Sequence, residues 1–413
     1  MNEYIKKPEL LIPAGNLETL KTAVIYGADA IYIGGDLYGL RAKAKNFSLE
    51  QMEEGIAFAH SYGKKVYVTA NITAHNQDLS GIREYFRELK AMGENRPDAL
   101  IISDPGVFAI AMEEFPEIEV HISTQANNTN YETYKFWHRL GATRVVSARE
   151  LSLKELAELR AKIPAELEIE TFVHGAMCIA YSGRCLLSNY FTGRDANLGA
   201  CTHSCRWRYH IVEETRPGEY LPIEENERGT YIFNSKDLCM LEHIPELVKA
   251  GINSFKVEGR MKTALYVATV ARTYRKAIDE YYADPALYEA NKQLYMEEIK
   301  KGVNRQFTTG FFFGKPTQED QIYDHNTYEK AYTYLGTITG VKDGLYELEQ
   351  KNKFSVAEGV EIIKPNGDTL EVVVKQIKDA DGVEMESCPH PQQMIYVDFG
   401  VKLDNYDIIR RKE

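Results

Sequence analysis

Four of the six cysteines in this 413-residue chain lie in one short segment, at Cys178, Cys185, Cys201 and Cys205. Thiols collected in this way bind metal, form disulfides or carry redox chemistry. The first residues, M-N-E-Y-I-K-K-P-E, lack the apolar run and cleavage site of a signal peptide. We therefore expect a cytoplasmic chain, in which structural disulfides are rare, so the segment is expected to serve metal binding or redox chemistry.

The spacing of these thiols helps to distinguish a structural zinc site from an iron–sulfur cluster. Structural zinc usually takes two thiolates from one C-x2-C turn, and neither close pair here has that spacing. An iron–sulfur cluster tolerates longer separations, and Gly175, Gly183 and Gly199 would let the backbone approach it. Cys239, in N-S-K-D-L-C, supplies a fifth thiol. Metal binding is favoured; zinc, a lone catalytic thiol and buried cysteines acting as small hydrophobes remain as alternatives.

The elements that must position these thiols alternate between strand and helix. Several helix candidates end at a glycine, namely Gly27, Gly63, Gly141 and Gly251. Between them lie eight short apolar runs typical of buried parallel strands. They span residues Glu9–Ala14, Ala30–Gly34, Lys65–Ala70, Ala99–Ser103, Glu119–Thr124, Arg144–Ser147, Leu167–Val173 and Ser254–Val257. This pattern predicts an α/β fold, a (β/α)8 TIM-like barrel, with an open doubly wound sheet as the alternative.

The chain divides into two predicted domains. Residues 1–320 form the barrel domain, with a large insertion after strand seven (176–240) that holds the cysteine segment. From about Tyr332 the pattern changes to alternating strands with hairpin turns such as Asn366-Gly367. Residues 326–413 are therefore predicted to form a small all-β, barrel-like domain.

Charged residues at the ends of strands seven and eight are candidate catalytic groups. Glu170 and His174 share one face of strand seven, and Lys256, Glu258 and Arg260 alternate at the end of strand eight. A Glu and a His there could move protons, and the basic groups could pair with a dicarboxylate. The alternative for each set is a structural ion-pair network.

Further candidates lie after other strands, where a barrel presents its chemistry. Arg41 follows strand two, Asn71 strand three and Gln125 strand five, and Arg184 lies between the first two cysteines. These four are candidates for binding a cofactor or co-substrate. Two motifs combine arginine with aromatic residues that could stack an unpaired base. They are Arg305 with Phe307 and Phe311, and Arg206 with Trp207 and Arg208.

The net charge of −12 argues against a surface that generally coats nucleic acid, although a local basic groove is compatible with it. No apolar run approaches the roughly 20 residues needed to span a bilayer, so no membrane segment is expected.

The segment E-T-F-V-H-G-A-M-C-I-A-Y-S-G-R-C-L-L-S resembles the signature of peptidase family U32. The resemblance extends over nearly the whole chain through L-L-I-P-A-G, A-D-A-I-Y-I-G-G, N-S-K-D-L, F-K-V-E-G-R and N-R-Q-F-T-T-G-F. Within the family, the motifs are most similar to those of the prephenate-dependent tRNA uridine hydroxylases.

This resemblance implies a [4Fe–4S] cluster and hydroxylation of the wobble uridine at position 5, with prephenate as oxygen donor. When the family's ligand positions are carried over to this sequence, Cys178, Cys185 and Cys201 are cluster ligands. The fourth ligand is Cys205 or, as the alternative, Cys239. The implied partners are the tRNA anticodon loop, prephenate and, for an ancillary iron–sulfur subunit, a second family member.

The family name raises a collagenase-like peptidase as an alternative function. The chain contains neither the H-E-x-x-H motif of zinc peptidases nor the G-x-S-x-G elbow of serine hydrolases. A peptidase site would have to be assembled from residues distant in sequence.

Overall fold

The computed structural model describes residues 6–36, 38–39, 46–178, 180–182, 184–196, 200–207, 211–212, 220–221, 235–320, 322 and 328–413. Internal contacts divide the chain into two compact units. The first comprises Met1–Lys21, Asp29–Met261 and Arg305–Tyr328, and the second comprises Thr22–Ala28, Lys262–Asn304 and Glu329–Glu413.

The first unit is built on a closed barrel of eight parallel strands. The strands described in the first unit, in chain order, are β1 (Glu9–Pro13), β2 (Ala30–Gly34), β3 (Lys65–Ala70), β4 (Ala99–Ile102), β5 (Glu119–Ile122), β6 (Arg144–Val146), β7 (Glu168–Gly175), β8 (Ile211–Val212), β9 (Tyr220–Leu221), β10 (Asp237–Cys239), β11 (Ser254–Val257) and β12 (Phe307–Thr308). The eight barrel strands are β1 to β7 and β11. Strands β1 to β7 pair in sequence, and β11 joins β7 to β1 and closes the sheet. The predicted TIM-like barrel is confirmed, and the open sheet is excluded.

Helices separate the barrel strands as the periodicity predicts. They are α1 (Leu17–Ile25), α2 (Leu49–Ser61), α3 (Leu79–Ala91), α4 (Pro105–Glu114), α5 (Tyr131–Arg139), α6 (Leu153–Lys162), α7 (Leu187–Thr192) and α8 (Ile244–Lys249). Ser48 and Ser152 start α2 and α6 with capping boxes. All four predicted helix-ending glycines have positive φ, from +66° at Gly63 to +109° at Gly141.

The insertion after β7 contributes short elements of its own. Helix α7 lies between Cys185 and Cys201, and β8 and β9 pair as a two-stranded antiparallel ribbon. Strand β10 then returns to pair antiparallel with the end of β7, and β12 pairs with β10. The insertion therefore both leaves and rejoins the barrel at the carboxyl end of β7.

The second unit is a half-barrel of antiparallel strands with two long helices, α9 (Ala264–Ala283) and α10 (Pro285–Lys300). Its strands are β13 (Tyr332–Lys342), β14 (Leu345–Glu349), β15 (Gly359–Ile363), β16 (Thr369–Val373), β17 (Gln376–Lys378), β18 (Glu384–Met385), β19 (Met394–Asp398) and β20 (Ile408–Lys412). Apolar side chains such as Leu335, Phe354 and Ile409 form its core. The predicted C-terminal β fold is confirmed as an antiparallel half-barrel, in a unit that also includes α9 and α10.

Within the part of the chain that the structure describes, no helix is both long and apolar enough to cross a bilayer.

Candidate active site at the barrel rim

Polar side chains gather at the carboxyl ends of the barrel strands. Asn71 follows β3 and donates from Nδ2 to Ser123 Oγ, after β5, at 3.3 Å. Ser103 Oγ, after β4, donates to the backbone carbonyl of Asn71 at 3.1 Å. Arg260, after β11, donates from Nη1 to Thr69 Oγ1 at 3.3 Å. Because parallel strands end at one rim, these groups face the end where barrel enzymes carry their chemistry.

Arg149, directly after β6, links this rim to the first cysteine. Its guanidinium lies 4.0 Å over the Phe172 ring, and Nη1 donates to the Ala176 carbonyl at 2.9 Å. Nη1 also lies 4.0 Å from Cys178 Sγ, and Nη2 lies 3.7 Å from Glu258 Oε2. Nε is buried and has no hydrogen-bond partner among the described residues. A buried N–H group without a partner can donate a hydrogen bond to an anionic ligand.

Gly175 determines how β7 ends beside Glu258. Its φ is +109°, and a Cβ at this position would lie 2.5 Å from the Glu258 carbonyl oxygen. The Glu258 N–H donates to the His174 carbonyl at 2.8 Å, and Tyr32 Oη lies 3.4 Å from Glu258 Oε2. Only glycine meets both the conformation and the close approach, so the backbone between strand seven and the insertion is fixed here.

Glu170 and Lys256 lie deeper, in an ion-pair network inside the barrel. Glu170 is fully buried; its Oε1 lies 2.6 Å from Lys256 Nζ and its Oε2 3.1 Å from Arg144 Nη1. Arg144 also pairs with Glu9 at 2.6 Å and Glu168 at 2.5 Å. Burial would raise the pKa of Glu170, but Lys256 and Arg144 hold that pKa below its ordinary value. Proton transfer by Glu170 would require one of these pairs to break.

His174 lies at the end of β7, where β10 brings a cysteine opposite it. The His174 ring is 5.6 Å from that of Phe307, and the side chain is almost fully buried. Cys239 is its register partner across the antiparallel β7–β10 pair. Cys239 is therefore placed at the barrel rim, while the other four thiols of the segment lie on the insertion.

The four insertion thiols are accessible and none of them is in a disulfide. Cys178 and Cys201 are exposed, and Cys185 and Cys205 are half-buried. The His203 N–H donates to Cys201 Sγ at 3.4 Å, a contact that favours a thiolate. Among the described residues, no three Cys, His, Asp or Glu side chains lie close enough to hold one metal ion. By type, these thiols suit a [4Fe–4S] iron–sulfur cluster, in which each thiolate binds a different iron.

The remaining predicted binding residues are divided between the rim and the surface. Gln125 lies in a short turn after β5, where its carbonyl accepts a hydrogen bond from Asn127 Nδ2 at 2.9 Å. Arg184 is exposed and lines a groove of about 440 Å³ together with Asn127, Thr129, Ala180 and Tyr181. Arg41 and Arg208 lie outside the described residues.

Two further barrel residues, Arg149 and His121, have environments that the sequence motifs did not predict. Arg149 follows β6 directly in S-A-R-E, so the rule that selected residues after strands three and five would also have found it. His121 lies in β5 with its ring 4.6 Å from that of Tyr67. Burial and Arg144 hold the pKa of His121 well below its ordinary value, so it is neutral at neutral pH. A lone histidine in an apolar strand carries no sequence signal for such an environment.

The structure thus defines a class of two-unit protein. One unit is a TIM-like barrel with a thiol-bearing insertion, and the other contains an antiparallel half-barrel. The sequence-family model described as Peptidase family U32 matches residues 15–322 of this chain. The family model described as Peptidase family U32 C-terminal domain matches residues 330–410. The chain belongs to peptidase family U32, which confirms the resemblance seen in the motifs.

Curated relatives resemble the chain over most of its length. "tRNA hydroxylation protein P1" of Bacillus subtilis (strain 168) is 42% identical, over 98% of this chain and 95% of that protein. "tRNA hydroxylation protein P" of Escherichia coli (strain K12) is 39% identical, over 98% and 97%. "Uncharacterized protease MJ0090" of Methanocaldococcus jannaschii is 38% identical, over 90% of each chain.

Proposed function

We propose that this chain is an RNA-modifying enzyme that hydroxylates the wobble uridine of tRNA at position 5, with prephenate as oxygen donor and a [4Fe–4S] cluster. One observation carries the proposal: two relatives named as tRNA hydroxylation proteins are about 40% identical over 98% of the chain. A tRNA substrate would place the reaction in the cytoplasm.

The rim supports binding of a small dicarboxylate. Arg149 presents a buried, unsatisfied Nε, and Arg260 is nine-tenths buried at the end of β11. Guanidinium groups pair bidentately with carboxylates, which an ammonium group cannot do. Arg149 and Arg260 would bind the acid, Asn71 and Ser123 would hydrogen-bond its hydroxyl group, and Glu258 would hold Arg149 in place.

The insertion thiols would hold the cluster, which supplies electron transfer when bound. Cys178, Cys185 and Cys201 are the proposed ligands, with Cys205 or Cys239 as the fourth. Arg149 Nη1, which lies 4.0 Å from Cys178 Sγ, would place a positive charge beside the cluster.

Nucleoside mass spectrometry of tRNA tests the proposal. A strain that lacks all of its own U32 members is complemented with this chain, with its Arg149→Met variant, or with an empty vector. We expect 5-hydroxyuridine derivatives to return with the wild type and to stay below a tenth of that level with Arg149→Met. Control immunoblots establish equal amounts of both proteins.

Two outcomes would contradict the proposal. If the wild type restores no hydroxylated uridine, even when a second U32 chain is supplied, the hydroxylase assignment fails. Restoration only with that second chain would instead assign this protein an ancillary role. Hydrolysis of casein or collagen by the purified, iron-free protein would favour the peptidase alternative.

A further inference from the structure

The insertion exposes an unusual number of aromatic rings. Tyr190, on α7, is 82% exposed, and Phe191 and Trp207 are 44% and 41% exposed. The Tyr190 and Phe191 rings meet edge-on with centroids 5.1 Å apart, and the Phe191 and Trp207 centroids are 6.2 Å apart. We call these three rings the aromatic patch. A contiguous exposed apolar surface of this kind marks an interaction site.

The aromatic patch is fastened to the segment that carries the thiols. Ser188 Oγ, on α7, accepts a hydrogen bond from the Thr202 N–H at 3.1 Å, and Thr192 Oγ1 donates to the Ser188 carbonyl at 2.7 Å. Gly193 ends α7 in the left-handed conformation, at φ +64°. These contacts hold the rings in place beside Cys201, so the rings are not a random exposure of a loose loop.

The charge next to the aromatic patch favours a polyanionic partner. Residues 176–212, the first part of the insertion, contain four arginines and one aspartate, a net charge of +3, whereas residues 213–240, the rest of the insertion, carry a net charge of −4. Arg184 and Arg194 are exposed, and Arg184 shares its groove with Tyr181 and the amide of Asn127. Cationic side chains interleaved with open aromatic faces are the pattern that binds unpaired nucleotides, whose bases stack and whose phosphates pair with arginine.

The second aromatic–arginine motif does not offer such a surface. Arg305 is 3% exposed and its guanidinium stacks 4.1 Å over the Tyr328 ring. Phe307 packs beside His174. This motif is therefore part of the fold of the first unit.

We propose that the aromatic patch, with Arg184 and Arg194, binds unpaired nucleotides of the RNA and holds them next to the thiol segment. The inference rests on the proposed function in taking RNA as the partner, and it adds the surface that receives the RNA. Stacking recognises the π face of any base, so this surface distinguishes unpaired from paired RNA rather than one sequence from another.

Binding of a fluorescent 12-nucleotide oligouridylate, compared with a 12-base-pair RNA duplex, tests the inference. In the full chain, Tyr190→Ala with Phe191→Ala should weaken oligouridylate binding at least tenfold and leave the duplex affinity unchanged. Tyr62→Ala with Phe136→Ala removes two exposed rings elsewhere on the first unit and serves as the matched control, with no change expected. Circular dichroism and iron content establish that each variant is folded and loaded alike.

Several results would overturn the inference. They are an unchanged affinity of the patch variant, an equal loss in the control, patch-dependent binding to phosphatidylglycerol vesicles instead of RNA, or a dimer that only the patch variant abolishes. The failure of the proposed function would look different: oligouridylate binding would still require the patch, while complemented cells would contain no hydroxylated uridine.

Discussion

At the scale of single residues, the six cysteines divide into four accessible thiols on the insertion, one buried thiol on β10 and one buried thiol in the core of the second unit. Substitution separates ligands from bystanders, because loss of one of four cluster ligands should remove most of the iron. After anaerobic reconstitution with iron and sulfide, we expect Cys178→Ser, Cys185→Ser and Cys201→Ser to retain less than a quarter of the wild-type iron.

The fourth ligand follows from the same measurement. Whichever of Cys205→Ser and Cys239→Ser loses iron to the same degree identifies it. Cys388→Ser is the control, because Cys388 is buried in the core of the second unit. Full iron content in all five variants would contradict the cluster.

The ion pair inside the barrel allows a second residue-scale prediction. Lys256→Met leaves the buried Glu170 carboxylate with Arg144 alone, and breaking a buried pair in this way costs about 3 kcal/mol or more. Adding Glu170→Gln should recover at least half of that loss. Urea denaturation measures both free energies of unfolding.

A surface pair provides the reference. Lys21 and Glu54 are joined at 2.7 Å but are partly exposed, so Lys21→Met should cost less than about 1 kcal/mol. Equal losses at Lys21 and Lys256 would show that Glu170 is not held by its partners. That result would favour proton transfer over a structural ion pair as the role of Glu170 and Lys256.

At the scale of elements, the barrel strands could be predicted to within a residue or two, because strands buried on both faces are short, continuous apolar runs. Strand β10 could not be predicted, because Asp237–Cys239 is too short to show any periodicity. The contacts of Arg149 were equally inaccessible. They depend on the register of β6 against β7, which sets Val146 beside Glu170 and which no local pattern encodes.

The junction between β7 and the insertion carries the element-scale prediction. Gly175→Ala should destabilise the first unit by about 1–3 kcal/mol more than Gly141→Ala, because of the two added Cβ atoms only the one at Gly175 meets backbone, that of Glu258. Both glycines have a φ of +109°, so the conformational penalty is shared. Urea denaturation of the two variants checks the difference, and iron content should fall only in Gly175→Ala. Equal destabilisation would mean that the backbone shifts to admit the methyl group.

At the scale of the whole molecule, the two units should respond differently to acid. In the first unit, the pKa of His121 is held far below 6.5 in the folded state, so only the unfolded chain takes up this proton below pH 6.5. Stability from His121 is therefore complete above pH 6.5 and is lost as the pH falls, by about 1.4 kcal/mol per pH unit. The charged groups that act on the pKa of His121 include Arg144, Glu170, Glu9 and Lys256, and Glu119 Oε2 lies 3.7 Å from its Nε2.

Tryptophan fluorescence can follow this loss selectively, because both tryptophans, Trp137 and Trp207, lie in the first unit. Between pH 7.5 and 5.5, the free energy of urea unfolding of the wild type should fall. In His121→Gln it should change less with pH, by about 1.4 kcal/mol per pH unit below pH 6.5. A variant as acid-sensitive as the wild type would assign the loss to another group.

The second unit should keep its stability to lower pH. Burial would raise the pKa of Glu298, but Arg272 and Arg410 bring that pKa down to about 2. This carboxylate therefore contributes stability above about pH 4.5, and the contribution disappears only as the pH falls toward 2.

The hydrogen bond between Ser188 and Thr202 has a thermodynamic consequence. It joins the helix that bears Tyr190 and Phe191 to the residue next to Cys201. If the thiols bind the proposed cluster and the aromatic patch binds RNA, the two binding equilibria would therefore be linked. Such linkage is reciprocal: the factor by which bound iron would raise the affinity for RNA must equal the factor by which RNA would raise the affinity for iron. Iron-starved cells would then contain chains that release tRNA readily and leave it open to the rest of the translation machinery.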